Sequence, residues 1–329
     1  MPYKLRDDHR HKFKKSRYQI NNWPAYNDAL KKRGSVMLWF SDEIIKAWYS
    51  KKNKRKNRGG QFKYSDIAIQ TALTIKAVYQ LPYRATDGFL TSLVELMKIP
   101  LKIPNYSRMC RRAATLILPD LKNNEEQYPL NILIDSTGLK IFGAGEWRET
   151  KYGLKKRRQW RKLHLAIDRD TQAILAQELT VDQESDSTQI QPLLGKLNEE
   201  INSITADTAY DSDAVYQTIL QYTGDHVHIA IPPQEQAALS AYYKVTPTKR
   251  DQNILFVEKY GKYRWQKYSD YHYRALAETA MFRYKTIIGD RLYGRKLSAQ
   301  KVEAKIACLI LNKMSSIGMP VSIKIKRAA

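Results

Sequence analysis

A near-continuous apolar run, LNILID, ends in an acidic residue, Asp135. Such a run between polar residues is typical of a strand that is buried on both faces. Two further strand patterns follow, GLKIFG and RKLHLAIDRDTQAILAQEL, and Asp168-Arg169-Asp170 interrupts the second as a hairpin turn would. The chain must therefore form a sheet with at least one fully buried strand.

Helical and extended patterns alternate after this hairpin. A polar segment leads into a predicted helix, TQIQPLLGKLNEEI, and a short strand, SITAD, ends in Asp207. A helix from Asp211 to about Tyr222, a strand over HVHIAIPP and a long helix over residues 271–285 complete the series. Strands that alternate with helices in this way predict an α/β domain with a mixed sheet flanked by helices.

The charge of the chain bears on its partners. The formal net charge is +23 over 329 residues, and residues 1–65 hold 18 Lys or Arg but 5 Asp or Glu. A field of this strength attracts polyanions, nucleic acid above all. A solvated, partly disordered arm carries the same kind of charge, so the pattern alone leaves both interpretations open.

Cysteines and hydropathy bear on the compartment. Cys110 and Cys308 are the two cysteines, which is too few for a disulfide framework or a cysteine-based metal site. No apolar run approaches 18 residues, and the opening MPYKLRDDHRHKFKK has no apolar segment of the kind found in signal peptides. We therefore expect a protein of a reducing cytosol that is neither secreted nor inserted in a membrane.

Three short helices are predicted over residues 64–112, separated by breaks at prolines. Short helices with tight breaks suit a helix-turn-helix module. Four side chains would lie on its candidate recognition helix: Ser107, Arg108, Arg111 and Arg112. A plain helical bundle fits the same pattern equally well.

Two acids follow buried strands, at the edge where open α/β sheets tend to build their sites. They are Asp135 and Asp207. Taken separately, an aspartate after a strand is more often a turn former or a helix N-cap. For Asp207 the cap role is better filled by Asp211 or Ser212, so a functional role gains weight there.

A third acid lies on the predicted helix YHYRALAETAMFRYK. At 100° per residue, Tyr271, Arg274, Glu278 and Lys285 share one stripe of this helix. The opposite side is apolar and carries Leu276, Ala280 and Ile287. A solvated helix face with an Arg274–Glu278 pair four residues apart explains the stripe without any function.

Three carboxylates from distant segments suit a site for Mg²⁺, which prefers oxygen ligands. A pair of such ions catalyses in-line displacement at phosphorus by activating the attacking oxygen and stabilising the leaving one. In that interpretation Glu278 is a metal ligand, and the basic residues of its stripe bind the phosphates of a nucleic-acid strand.

These residues resemble a known family. The stretch 271–285 matches the signature Y-x2-R-x3-E-x6-K, and LIDSTG at 133–138 and ADTAYD at 206–211 precede it in order. With these three motifs the chain resembles the DDE transposases of bacterial insertion sequences, from about residue 20 to about residue 320. The spacing between Asp207 and Glu278 implies that the large β insertion of some relatives is reduced here.

The resemblance implies a ribonuclease-H-like sheet and three catalytic, metal-binding acids, Asp135, Asp207 and Glu278. Two Mg²⁺ ions are expected there, and Mn²⁺ should substitute. Phosphate contacts are implied for the other signature residues, Tyr271, Arg274 and Lys285. The implied partners are double-stranded DNA, as transposon ends and target, and a second copy of the chain in a synaptic homodimer. A cytoplasmic, nucleoid-associated protein of a prokaryote is expected.

The predicted organisation has four parts. A basic arm with a short helix spans 1–60, and an all-α, helix-turn-helix-like DNA-binding region spans 61–125. The ribonuclease-H-like catalytic domain spans 126–320, and a basic tail spans 321–329.

A basic segment and one tryptophan offer further DNA contacts. Seven Lys or Arg fall within 151–162, among them Arg157, Arg158 and Arg161, which suits a loop that tracks phosphates but also an ordinary basic hairpin. Trp265 suits a core position better than a stacking platform for an unpaired base.

Three functions remain at this point. The first is a transposase that binds the terminal inverted repeats of its element, cleaves the DNA ends and joins the 3′ hydroxyls to target DNA. The second is a metal-dependent nuclease of the same fold without strand transfer, and the third is a non-enzymatic basic protein that packs nucleic acid. An enzyme requires the three acids to meet in space, whereas a packing protein leaves them scattered.

Overall fold

The computed structural model describes residues 17–50, 62–121, 129–143 and 159–325. Strands in these ranges are β1 (Arg17–Ile20), β2 (Leu130–Ile141), β3 (Trp160–Asp168), β4 (Ile174–Val181), β5 (Ile201–Thr205), β6 (His228–Ala230), β7 (Arg291–Leu292) and β8 (Ser322–Ile325). The α-helices there are α1 (Trp23–Arg33), α2 (Val36–Trp39), α3 (Asp42–Lys46), α4 (Asp66–Val78), α5 (Tyr83–Leu96), α6 (Tyr106–Ala113), α7 (Ile190–Leu194), α8 (Asp213–Thr223), α9 (Lys249–Tyr260), α10 (Lys262–Tyr268), α11 (Ala275–Arg283) and α12 (Leu297–Ile317).

The chain forms two compact units. One comprises Met1–Leu38 with Met314–Ala329, and the other comprises Trp39–Lys313. The predicted boundaries at residues 60 and 125 both fall inside the second unit, and the division into functional regions stays a prediction.

The first unit joins the two ends of the chain. Strand β1 pairs antiparallel with β8, from Arg17 opposite Ile325 to Ile20 opposite Ser322. The Asn22 amide donates to the Met319 carbonyl oxygen at 3.0 Å. Neither strand was predicted: one lies in the basic arm and the other in the basic tail, and each has its partner some 300 positions away in sequence.

The second unit is built around a mixed sheet of six strands. Its order is β4-β3-β2-β5-β6, and the short β7 also pairs with β2. The pairs β2–β3 and β3–β4 are antiparallel, whereas β2–β5, β5–β6 and β2–β7 are parallel. The predicted α/β class with a mixed sheet is confirmed.

Helices cover both faces of this sheet because β2 carries apolar side chains on each. Ile132 and Ile134 pack in a cluster with residues of α7 and α8. Leu133 and Leu139 pack in a second cluster with residues of α11 and α12. The period of two along a strand thus gives a three-layer arrangement with β2 at its centre.

Strand β2 is longer than predicted. LNILID and the first four residues of GLKIFG belong to one strand of 12 residues, so Asp135 lies in its middle and not at its end. The strand continues because β3 pairs along its length, from Ile132 opposite Asp168 to Lys140 opposite Trp160. The parallel partner β5, in contrast, stops opposite Leu133, so Asp135 lies just beyond the last parallel pair.

The helical predictions differ in outcome. The three short helices over 64–112 are confirmed as α4, α5 and α6. The helix predicted over TQIQPLLGKLNEEI is shorter, a 3₁₀ turn at Asp186–Gln189 followed by α7, whose C-cap is Gly195. Helices α9 and α10 were not predicted, and they lie in the segment between Asp207 and Glu278.

Two smaller findings concern Trp265 and the hydropathy of the helices. Trp265 is fully buried and its indole N–H donates to Asn253 Oδ1 at 2.9 Å, so the core interpretation of this residue is confirmed. No helix in the described ranges is long and apolar enough to cross a membrane.

Candidate active site

Asp135 projects from β2 at the point where β5 has ended. Its side chain lies on the same face of the sheet as Leu133, toward α11 and α12. The residue is 8% exposed, and its Oδ1 accepts a hydrogen bond from the backbone N–H of Ser136 at 2.8 Å. The carboxylate is therefore held in place by its own strand.

Asp207 follows β5 and stands beside Asp135. Thr205, two residues earlier, pairs with Leu133, two residues before Asp135, so the parallel register brings both acids to the same level of the sheet. Asp207 also caps the 3₁₀ turn Thr208–Tyr210, where its Oδ1 accepts from the Ala209 N–H at 2.9 Å. Its capping role and a functional role therefore coexist.

The ADTAYD motif that carries Asp207 is fixed by a buried ion pair. Arg250 of α9 donates from Nε to Asp211 Oδ1 at 2.8 Å and from Nη2 to Asp211 Oδ2 at 3.2 Å. The predicted helix that follows is capped by Ser212, whose hydroxyl accepts from the Val215 N–H. The unpredicted helix α9 thus supports the second acid.

Glu278 lies on α11, but the predicted single helix over 271–285 is wrong. Residues Tyr271–Arg274 form a 3₁₀ turn, α11 covers Ala275–Arg283, and Tyr284–Ile288 form a π-helical turn. The change of period keeps Ala277, Ala280, Met281 and Tyr284 buried against the sheet. Glu278 is not among these buried residues and is exposed, and Lys285 lies in the π turn with an exposed side chain.

Arg274 brings the three acids together. Its Nη2 lies 3.3 Å from Asp135 Oδ2 and 3.8 Å from Asp207 Oδ2. Its Nη1 donates to Glu278 Oε1 at 2.9 Å, which is the predicted pair four residues apart. One guanidinium therefore contacts all three carboxylates, and the acids meet in space as an enzyme requires.

The pKa values reflect this close grouping. Burial raises the pKa of Asp135, and Arg274 partly opposes that rise. Burial alone would lower the pKa of Arg274, but Asp135 and the other acids outweigh it and raise that pKa. Burial likewise raises the pKa of Tyr271 to about 12, so its hydroxyl is a neutral donor at physiological pH.

The donor set fits a hard divalent cation. Three carboxylates supply the oxygen ligands that Mg²⁺ prefers, and they are grouped around a positive charge. In the present arrangement that charge is the Arg274 guanidinium, and no three acidic, histidine or cysteine side chains in the described ranges are spaced to hold a metal directly. The three carboxylates therefore fit a divalent cation, provided that the Arg274 guanidinium moves out of its position between them.

Comparison with known proteins decides the family. A profile described as "Transposase DDE domain" matches residues 129–313, which is more than half of the chain and includes all three acids. A second profile with the same description matches residues 31–144. The chain belongs to the DDE transposase family.

Two solved structures are similar to the transposase at low identity. One is a piggyBac transposase synaptic complex with hairpin DNA, at 13% identity and a TM-score of 0.40, covering 91% of this chain and 76% of that one. The other is a Drosophila P element transposase strand transfer complex, at 11% identity and a TM-score of 0.30, covering 90% of this chain and 85% of that one. The assignment to the family rests on the profile matches.

The other predicted DNA contacts of the transposase are distributed over several surfaces. On α6, Arg108 and Arg111 are exposed, whereas Arg112 is paired with Asp66 and stacks on the Phe62 ring. Arg112 is therefore a structural residue of the helical module. The DNA contacts of Arg108 and Arg111 remain predictions.

The predicted basic loop is only partly within the described residues. Arg157 and Arg158 lie outside them. Arg161 lies on β3, where its Nε donates to Gln300 Oε1 at 2.9 Å and its Nη1 donates to the Trp160 carbonyl oxygen at 3.2 Å. Its guanidinium is thus already engaged inside the transposase, and a phosphate contact from it stays a prediction.

Sequence reasoning missed a polar network behind Asp135. Asp186 Oδ2 accepts from the Ser136 hydroxyl at 2.8 Å, and its Oδ1 lies 2.9 Å from Lys162 Nζ. Lys162 lies diagonally across the β2–β3 pair from Ser136. Ser136 is opposite His164, and Lys162 is two residues from His164 on the same face of the strand. The only sequence signal was an acidic residue in the polar segment after β4, which resembled an ordinary loop.

Proposed function

We propose that this transposase binds the terminal inverted repeats of an insertion sequence, cleaves the DNA ends and joins the freed 3′ hydroxyls to target DNA. The observation that carries the proposal is the meeting of Asp135, Asp207 and Glu278 around Arg274. Family membership supports the reaction class, and the net charge of +23 supports DNA as the partner. A homodimer that pairs the two ends is part of the proposal.

Asp135, Asp207 and Glu278 would hold Mg²⁺, with Mn²⁺ as a substitute. The bound ions would supply activation of the attacking water or hydroxyl and stabilisation of the leaving oxygen at phosphorus. The backbone of β2 and the turn after β5 orient the two aspartates, and the Ser136 and Ala209 N–H groups fix one oxygen of each. Glu278, on an exposed helix face, is the ligand with the most freedom to adjust.

Arg274 binds the three acids in one state of the site and a DNA phosphate in another under this proposal. In the structure its guanidinium neutralises the acids, which would otherwise repel one another. A guanidinium is also well suited to a DNA phosphate, because its planar donors match the phosphate oxygens. We infer that Arg274 moves from the acids to the scissile strand when the site is loaded.

The test is an assay with labelled DNA. A duplex that carries the inverted repeat flanking the gene is incubated with the protein, a supercoiled target plasmid and Mg²⁺. The proposal predicts nicks at the repeat end and covalent joining of the label to the plasmid, both abolished by EDTA. Nicks without joined product would support the nuclease of the same fold, and binding without either would support a packing protein.

A further inference from the structure

The hydroxyl group of Tyr210 is an exception in the core. Tyr210 ends the 3₁₀ turn that Asp207 caps, and the residue is 1% exposed within the cluster of α7 and α8. Its hydroxyl oxygen is buried and has no hydrogen-bond partner among the described residues. Buried polar groups almost always have a partner, so this hydroxyl calls for a functional explanation.

The surroundings of this hydroxyl are acidic. Burial raises the pKa of Tyr210, and the charges of Asp186, Asp135 and Asp207 raise it further. The phenol is therefore protonated at physiological pH and can donate a hydrogen bond. Asp186 is already bonded to Ser136 and Lys162, and none of the three aspartates accepts a hydrogen bond from the phenol. The hydroxyl therefore has acids near it but a hydrogen bond to none of them.

The local topology explains how a core tyrosine reaches the site. Strand β5 ends opposite Leu133, so no strand lies beside β2 on that side at the level of Asp135. The 3₁₀ turn Thr208–Tyr210 follows immediately after β5 and Asp207. A tyrosine at its last position can be packed in the core by its ring and still place its hydroxyl near the ends of the acids.

We propose that Tyr210 is a positioning residue of the active site, whose hydroxyl donates a hydrogen bond to a water held beside Asp135 and Asp207 when a divalent cation is bound. The inference rests on the proposed function, because it assumes that these acids hold the cation. It assigns to the ADTAYD motif a second polar group besides its aspartates. The water, and not a carboxylate, is the partner, since neither aspartate accepts from Tyr210 in the structure.

The chain offers a matched control in Tyr216. This tyrosine is also buried, on α8, but its hydroxyl donates to the Ile231 carbonyl oxygen at 3.4 Å and accepts from Asn253 Nδ2 at 3.0 Å. Removing a satisfied buried hydroxyl leaves its partners unpaired and destabilises a protein, whereas removing an unsatisfied one does not. Tyr216→Phe should therefore lower the free energy of unfolding, whereas Tyr210→Phe should leave it unchanged or raise it.

The experiment uses full-length protein of the parent, Tyr210→Phe, Tyr216→Phe and Asp135→Asn. Metal-free urea denaturation measures stability, and titration with Mn²⁺ followed by electron paramagnetic resonance measures cation affinity. Tyr210→Phe should be as stable as the parent or more stable, and should bind Mn²⁺ roughly three- to tenfold more weakly. Tyr216→Phe should be less stable and should bind Mn²⁺ like the parent.

Two results would overturn the inference. One is unchanged Mn²⁺ affinity in Tyr210→Phe while Asp135→Asn loses binding, which would leave the cation site intact and Tyr210 without a role in it. The other is a stability loss in Tyr210→Phe as large as that in Tyr216→Phe, which would make its hydroxyl structural. If Asp135→Asn itself bound Mn²⁺ like the parent, the proposed cation site would be wrong, and the inference would fail with it.

Discussion

At the scale of single residues, the Arg274 guanidinium neutralises three carboxylates that repel one another. Its side chain is 22% exposed, and Asp135, its most buried partner, is 11% exposed at the side chain. Electrostatic attraction at this burial is stronger than at an open surface. The same attraction makes Arg274 a competitor for any metal cation that the acids bind.

Replacing Arg274 by Gln should therefore have two opposite effects. The metal-free protein should lose stability by about 3 kcal/mol, because a buried carboxylate is left without its counter-charge. The affinity for Mn²⁺ without DNA should rise roughly tenfold, because the competing cation is gone. Urea denaturation and calorimetric titration measure the two quantities.

The control for this substitution is Arg264→Gln on the exposed side of α10. It removes the same charge from the chain and should change neither quantity. Equal Mn²⁺ affinity in the Arg274 and Arg264 variants would contradict the competition between guanidinium and metal.

Sequence patterns predicted the three acids and Arg274 as site residues, but not the contacts from Arg274 to the two aspartates. The Arg274–Glu278 pair follows from helical spacing and was predicted. The contacts from Arg274 to Asp135 and Asp207 depend on where the 3₁₀ turn packs against β2 and β5, which no local pattern contains. The Asp186 network was missed for the same reason, since its members come from three separate segments.

At the scale of elements, α6 has two kinds of arginine. Arg111 is exposed and its Nε donates to the Ser107 carbonyl oxygen one turn earlier, at 3.3 Å. Arg112 pairs with Asp66 at the start of α4 and lies 3.9 Å above the Phe62 ring. The helix therefore has one side that is available to DNA and one that holds the helical module together.

Arg111→Ala should weaken DNA binding and leave the protein stable. Removal of a single phosphate interaction lowers the salt slope of binding by about one unit, so the slope should fall by about that amount. Arg112→Ala should instead lower the unfolding temperature, because it removes the ion pair with Asp66 and the stacking on the Phe62 ring. Fluorescence anisotropy over a range of salt concentrations and thermal denaturation separate the two. An unchanged slope in Arg111→Ala would exclude this face of α6 from the DNA interface.

Glycine at position 318 allows the segment after α12 to lie against α1. A Cβ atom added at Gly318 would lie 2.9 Å from the Ala29 Cβ, which is closer than two non-bonded carbon atoms normally approach. The Arg33 guanidinium also donates to the Gly318 carbonyl oxygen at 2.7 Å, so the backbone there has little room to move.

Gly318→Ala should therefore destabilise the first unit by about 1 to 3 kcal/mol. Removing the opposing methyl group in Ala29→Gly should relieve the clash, so the loss in the double variant should be smaller than the sum of the single losses. Urea denaturation of the four proteins measures this coupling. Strictly additive losses would mean that the two positions are not in contact.

Helix and strand boundaries were the least predictable elements. Strand β2 runs through Asp135 because β3 pairs with it on both sides of that residue. The stretch 271–288 changes from 3₁₀ to α to π geometry because tertiary packing of Ala277, Met281 and Tyr284 sets the period. Neither the pairing with β3 nor this packing can be predicted from local sequence propensity.

At the scale of the whole molecule, the order of strands and helices was enough to predict the class of fold. The buried run of β2, the hairpin of β3 and β4, and the later strands predicted a mixed α/β sheet, and the structure confirms it. The pairing of β1 with β8 was beyond sequence reasoning, because RYQI and SIKI carry no signal that specifies each other.

The proposed function requires three distant acids, Asp135, Asp207 and Glu278, to act as one cation site for DNA cleavage. Glu278→Gln tests it most directly, because Glu278 is exposed and its replacement should leave the fold unchanged. Glu258→Gln, on the exposed side of α9, removes the same charge elsewhere. We expect Glu278→Gln to bind a duplex with the terminal repeat as tightly as the parent does but to nick it at least a hundredfold more slowly in Mg²⁺ (~2.7 kcal/mol), whereas Glu258→Gln nicks it normally. Nicking by Glu278→Gln at the rate of the parent would mean that Glu278 is not part of the catalytic cation site.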